Sequence, residues 1–202
     1  MGRFLWFGGQ GSRELFSNST VERASADARS SSAAISLTER CLEAWQDEVQ
    51  SLDAATRAEN GLDGVFTEPS DFFNLDIALH THGVVQSTTI CLYQLLRLLS
   101  VARGYSSSYS GFLQDLSEVA GFCSGLLPAA VAACSSTEDD LINNGTEAFR
   151  LAFWIGVRSS TFSQGAYGKL PPGTSNLLVV KNTSREEIEA TIEQFNSKVI
   201  RP

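Results

Sequence analysis

Two short glycine-framed strings hold the residues best suited to chemistry. In Gly121-Phe122-Cys123-Ser124-Gly125 a thiol stands midway between two glycines. This is the spacing of a nucleophile elbow, where small residues two positions either side of the nucleophile permit a strained strand-to-helix turn that projects its side chain into a cleft. At a helix N-terminus the positive end of the dipole favours the thiolate, the nucleophilic form of cysteine. Cysteine is more commonly a buried structural thiol, and the pattern by itself leaves both readings open. The second string, Gly8-Gly9-Gln10-Gly11-Ser12, lacks the lysine of a phosphate-binding loop and the spacing of a dinucleotide fingerprint. A glycine turn after a strand either presents a backbone N–H toward an oxyanion or simply connects a strand to a helix.

Other chemistry is thinly represented. His80-Thr81-His82 is the only histidine pair. On one face of a strand such a pair could ligate a metal, but no third ligand is apparent, and the plainer reading is polar residues at an element edge. The four cysteines, Cys41, Cys91, Cys123 and Cys134, form no CxxC motif and are too scattered for a disulfide scaffold. No metal and no permanently bound cofactor is expected.

The elements that must position these strings are partly legible. Arg3–Phe7 is a short apolar run stopped by glycine, as expected of a buried strand. Residues 17–36 are rich in Ser, Ala and charge without periodicity and read as a loop or weak helix. Cys41, Trp45, Val49 and Leu52 make the stripe of an amphipathic helix over Thr38–Leu52. Val84–Val101 reads as a helix packed between other elements. Gly104–Gly111, with four serines and two tyrosines, reads as a connection. Leu126–Ala133 reads as a helix with Pro128 in its first turn, and Ala148–Val157 as another. Leu170-Pro171-Pro172-Gly173 marks a turn and boundary. Beyond it come a strand at Leu177–Val180 and a helix opened by a capping box of Thr183 with Glu186.

Composition narrows the classes. The chain has 202 residues, 43% hydrophobic and 19% charged, which suits a folded domain with a substantial core. Fifteen Lys+Arg against 23 Asp+Glu leave a net charge of −8, which repels phosphate backbones and anionic lipid, so neither nucleic acid nor a membrane surface is expected as a partner. The apolar start, Phe4 to Phe7, is too short for a signal-peptide core. The apolar run Gly125–Cys134 is about half a membrane span, and a cytoplasmic location is expected.

Taken together, Phe7-Gly8-Gly9-Gln10-Gly11-Ser12 and Gly121-Phe122-Cys123-Ser124-Gly125-Leu126-Leu127-Pro128-Ala129 resemble the N-terminal part of the starter-unit:acyl-carrier-protein transacylase domain of fungal non-reducing polyketide synthases. The resemblance implies an α/β fold: an incomplete α/β-hydrolase-like acyltransferase core of malonyl-transferase type over residues 1–172, then the beginning of a ferredoxin-like small subdomain over 173–202. It implies that Cys123 accepts an acyl group from acyl-coenzyme A or a carrier protein. The group would then pass to the phosphopantetheine thiol of an acyl carrier protein, the expected partner with other synthase domains. The backbone N–H groups of Gln10 and Ser124 would form the oxyanion hole.

Malonyl transferases of this superfamily carry an arginine that binds the substrate carboxylate. Matching their string to Ala148-Phe149-Arg150-Leu151-Ala152-Phe153-Trp154-Ile155-Gly156 puts Phe153 at its place. An apolar residue there favours an uncharged starter, since a carboxylate would be buried unpaired; Arg150 or Arg158 could reverse that. The family's base is a histidine expected downstream of Pro202, and neither His80 nor His82 lies in such a motif. Two further readings stand beside the transferase: a catalytically incomplete module that only binds or docks, and a cysteine thioesterase using water as acceptor.

Overall fold

A computed structural model of the protein describes residues 3–9, 16–76, 79–80, 82–106 and 108–167, and beyond these only 184, 186–187 and 189–190. The chain divides into two compact units, Met1–Gly168 and Lys169–Pro202.

In the first unit a strand β1 (Arg3–Phe7) precedes helices α1 (Asn18–Ala28), α2 (Ser32–Ser51), α3 (Ala54–Asn60), α4 (Gly83–Tyr105) and α5 (Tyr109–Gln114). Strand β2 (Leu116–Gly121), a single 3-10 turn Cys123–Gly125, α6 (Leu126–Cys134) and α7 (Glu138–Tyr167) complete it. The class is α/β, mostly helical, with one small parallel sheet.

Residues 17–36, expected as a loop or weak helix, instead form α1 and the start of α2. Ser17 and Ser31 cap the two helices, accepting hydrogen bonds from the N–H of Thr20 and Ala34, which satisfies donors a helix start leaves open. Their inward faces are built from Ala24, Ala28, Ala33 and Ala34, small residues that pack closely but show no apolar periodicity. The Gly104–Gly111 stretch is likewise shorter as a connection than expected, because α4 runs to Tyr105 and α5 begins at Tyr109. Helix α7 begins ten residues before Ala148: Thr137 Oγ1 accepts from the N–H of Asp140, whose carboxylate accepts from the N–H of Thr137.

Helix α4 lies at the centre of the bundle, buried on most of its faces, with α7 and α2 against it. By length and hydropathy it could cross a membrane, and it is the core helix here, 72% of its apolar window being buried. Close approach of α7 depends on two glycines. A Cβ on Gly156 would stand 2.6 Å from Val84 Cα, and one on Gly145 would stand 3.1 Å from Leu37 Cδ1 and 3.2 Å from Leu95 Cδ1. Between α2 and α7 an aromatic cluster fills the core. Trp45 meets Phe66 at 4.6 Å and Phe153 at 5.3 Å between centroids, and Phe72 meets Phe149 at 5.8 Å, in the edge-on geometries aromatic quadrupoles favour.

The strands pair in parallel, Leu5 with Val119, Trp6 with Ala120 and Phe7 with Gly121. β1 is not the buried strand its apolar run suggested: in a two-stranded sheet covered on one face, alternation buries Phe7 and leaves Phe4 and Trp6 57% and 59% exposed.

In the second unit, Ser184 and Glu187 make the reciprocal capping box: each donates its N–H to the other's side chain, at 2.9 and 3.3 Å. The box lies one residue later than the expected Thr183 with Glu186; Thr183 itself is outside the described residues. The expected turn at Leu170–Gly173 and strand at Leu177–Val180 lie outside the described residues.

Candidate active site

The site grows from the point where the parallel ladder ends. Phe122 N–H donates to the Phe7 carbonyl at 3.0 Å, and Gly125 N–H donates to the Phe122 carbonyl at 3.0 Å. The chain therefore turns sharply between β2 and α6, with Cys123 at the corner. Cys123 has φ = +56° and is the one non-glycine residue with positive φ among the described residues. An L-residue in this region suffers a Cβ–carbonyl clash costing about 1–2 kcal/mol. Strain of this kind persists only where surrounding structure imposes it, and it clusters at functional sites.

The surrounding glycines impose it by having no side chain. A Cβ on Gly121 would overlap the Gly125 carbonyl oxygen and stand 2.8 Å from Leu126 N. A Cβ on Gly125 would overlap the Phe7 carbonyl oxygen and stand 2.6 Å from that of Gly8. Gly9 closes the arrangement: its Cβ would fall 2.6 Å from Cys123 Cβ and 2.8 Å from the Phe122 carbonyl. The two glycine strings, more than a hundred residues apart in sequence, are thus in van der Waals contact at the thiol. From α4, Gln94 Nε2 donates to the Gly8 carbonyl at 2.6 Å.

The four cysteines separate clearly. Cys41 and Cys91 are buried. Burial pushes the Cys91 thiol up to about 12, and burial, then the neighbouring Cys91, pushes that of Cys41 well above its usual range; both are inert core thiols. Cys134 is exposed at the end of α6 in ordinary helical backbone, while Cys123 is exposed at the strained corner. Phe122 and Leu126 flank it, 66% and 59% exposed.

Ser124 follows the thiol within the 3-10 turn. Gln10 lies outside the described residues, directly after the Gly9 that packs on Cys123. Phe153 is wholly buried on α7, edge-on to Trp45 at 87° and to Trp154 at 81°, so its side chain is a member of the aromatic core. Arg150 is engaged by three carboxylates: Glu48 at 2.6 Å, Asp47 at 2.9 Å and Glu147 at 3.7 Å. These bonds, that to Glu48 foremost, stabilise its charge, and Glu48 also accepts from Trp154 Nε1 at 2.8 Å. Arg158 is exposed.

Both histidines have structural positions. His82 caps α4: Nδ1 accepts from Val85 N–H at 3.4 Å and Nε2 donates to the Asn60 carbonyl at 2.7 Å. Burial lowers its pKa below the usual 6.5, against the opposing effect of the Asn60 carbonyl. His80 stacks on Phe16 at 4.7 Å. Among the described residues no group of three or more His, Cys, Asp or Glu could hold a metal ion.

Gln94 and the packing role of Gly9 were not singled out in the sequence. The available signal was an amide side chain set in the apolar run of Leu92, Tyr93, Leu95 and Leu96.

A family model described as starter unit:ACP transacylase in aflatoxin biosynthesis matches residues 5–202. Among curated proteins, the orsellinic acid synthase ArmB of Armillaria ostoyae is 41% identical over 160 residues, 75% of this chain and 7% of that protein. The orsellinic acid synthase of Beauveria bassiana is 34% identical over 164 residues, covering 79% of this chain and 7% of that protein. The non-reducing polyketide synthase pks12 of Talaromyces marneffei is 27% identical over 107 residues, 52% of this chain and 6% of that protein. The chain thus spans less than a tenth of the length of these relatives.

Proposed function

This chain belongs to the starter unit:ACP transacylase family, and on that premise we propose that it carries the nucleophile-bearing part of a starter-unit acyltransferase in polyketide biosynthesis. The observation that carries the reading is the backbone at Cys123: an exposed thiol at positive φ, between two glycines whose Cβ positions are occupied by backbone atoms.

In the proposed route the Cys123 thiolate attacks the carbonyl carbon of an acyl thioester, on coenzyme A or a carrier protein. The tetrahedral oxyanion accepts hydrogen bonds from the backbone N–H groups of Ser124 and Gln10, and loss of one such donor typically costs on the order of 10²–10³ in rate. Collapse breaks the original C–S bond and expels the donor thiolate, leaving the acyl group on Cys123. The phosphopantetheine thiolate of an acyl carrier protein then attacks that thioester, and Cys123 leaves as thiolate. Thiolates leave readily, so neither half needs a strong acid. No base is assigned among the described residues, both nitrogens of His82 being committed to the α4 cap and the Asn60 carbonyl.

Residues 1–172 are read as part of an α/β-hydrolase-like acyltransferase core and 173–202 as the beginning of a ferredoxin-like subdomain. The starter is proposed to be uncharged. Arg150, a cation near the matched position, is neutralised by Glu48, Asp47 and Glu147, and Phe153 offers no charge. Phe153 would act through the packing of α7, since its side chain is buried.

The test is incubation with radiolabelled acetyl- or malonyl-coenzyme A and a phosphopantetheinylated carrier protein, beside Cys123→Ala. Label on the carrier, stronger from acetyl than malonyl and lost in the variant, is the expected result. Release of free acid would identify a thioesterase, and absence of covalent label would leave a binding module.

A further inference from the structure

The β1–β2 ladder ends at Phe7, whose carbonyl accepts from Phe122 N–H. The next two residues leave the sheet, yet Gly9 must stay within contact of Cys123 Cβ and the Phe122 carbonyl. Among the described residues the hydrogen bond that holds this departing segment comes from a side chain. Gln94, in the middle of α4, donates Nε2 to the Gly8 carbonyl at 2.6 Å across 86 residues of sequence. Its other amide atom, Oε1, is buried with no hydrogen-bond partner among the described residues. A half-satisfied amide on a helix beside Tyr93, Leu95 and Leu96 is costly by comparison with an apolar residue of the same shape. At this half-buried position on α4 the amide serves as the donor to Gly8. The same Gly8 carbonyl lies against Gly125, where an added Cβ would approach to 2.6 Å, so its position is coupled to the turn on both sides of the thiol.

We infer that Gln94 is a positioning residue: its amide N–H fixes the Gly8 carbonyl and thereby holds the Gly8–Gly9 backbone against the Cys123 turn. The consequence for transfer rests on the acyltransferase reading above, because the residue after Gly9 is the proposed oxyanion donor. Gln94 touches neither the thiol nor the acyl group in this scheme. It acts by keeping a backbone segment in register with Cys123, and displacements on the order of 1 Å in such a segment can cost about 10²-fold in rate.

Two variants of the full chain remove the bond in different ways: Gln94→Met keeps the length and loses the donor, and Gln94→Asn keeps the amide and loses the reach. Hydrogen exchange of the peptide spanning residues 3–9 is expected to accelerate at least several-fold in both, with α2 and α7 peptides unchanged. The rate constant for acylation of Cys123 is expected to fall about 10- to 100-fold, with KM for the acyl thioester within about two-fold. Unchanged exchange at residues 3–9 in both variants overturns the inference whatever the enzyme does. Faster exchange with an unchanged acylation rate overturns the positioning role. If the unsubstituted chain forms no acyl-cysteine, the acyltransferase reading fails, and the exchange measurement still decides whether Gln94 holds the loop.

Discussion

Trp45 and Phe153 meet edge-on in the helical bundle with almost none of their surface exposed, whereas Phe122 and Leu126, either side of the turn that carries Cys123, are 66% and 59% exposed. The bundle of α2, α4 and α7 holds itself together by side-chain burial. The strand–turn region is held at backbone level, by a short parallel ladder, a glycine at each close approach and one amide from α4. A side chain can be traded in the first region at the cost of a cavity. In the second, adding even a methyl group requires backbone to move. This division lets a strained, exposed thiol sit on a chain whose stability comes from elsewhere.

The contrast can be broken first at its strongest point. Phe153→Ala should destabilise the fold by about 3–5 kcal/mol, the usual cost of truncating a buried phenylalanine, as read from denaturant unfolding. A cost under about 1 kcal/mol would mean that the aromatic cluster is not the stabilising element. Gly121→Ala comes next. It should cost about 1–3 kcal/mol, as overpacking does, but should abolish acylation of Cys123, since the added Cβ meets the Gly125 carbonyl. Full acylation by that variant would show that the turn tolerates rearrangement.

How far these regions were legible in the sequence follows the same division. The Cys123 elbow was visible because backbone strain demands glycine at fixed spacing, the Cys41–Trp45–Val49 stripe because one buried helix face demands periodicity, and α4 because burial on most faces demands a nearly continuous apolar run. β1 was visible as a strand, but its apolar run misled as to burial, since only Phe7 is buried. Helix α1 was hidden because alanines and serine caps build it without an apolar stripe. The first turns of α7 were hidden by Asn143-Asn144-Gly145, a string that looks like a turn. In the fold Gly145 is helical and gives room to Leu37 and Leu95. Strand β2 was not read as an element and was implied only by the strand-to-helix turn of an elbow, since Leu116-Ser117-Glu118-Val119-Ala120 has weak β character. Gln94 escaped notice because its partner is a backbone carbonyl 86 residues away, a relation no local pattern encodes.

A smaller effect sharpens the comparison from the bundle side. His82 is held neutral in the fold, its pKa depressed below the usual 6.5 by burial. The unfolded chain therefore binds the proton more readily, and stability should fall as pH drops through and below about 6.5, where the unfolded imidazole becomes charged. Melting temperatures between pH 8 and pH 5.5 should show this fall, and His82→Gln should flatten the part of it due to this residue. A slope identical in the two proteins would remove His82 from the account. Smallest of all is the outer face of the sheet. Trp6→Ser should change stability by no more than about 0.5 kcal/mol, as surface substitutions usually do, because the ring is already 59% exposed. A larger loss would show that Trp6 is covered in solution.

The central claim is that Cys123, and not the likewise exposed Cys134, is the nucleophile. Brief exposure of the chain to acetyl-coenzyme A, followed by intact-mass measurement and peptide mapping under acid conditions, tests it most directly. The account predicts a single acetyl adduct on the peptide containing Cys123, removable by a phosphopantetheinyl thiol and absent in Cys123→Ala. An adduct on Cys134, or equal labelling of Cys123→Ala and the unsubstituted chain, would contradict it.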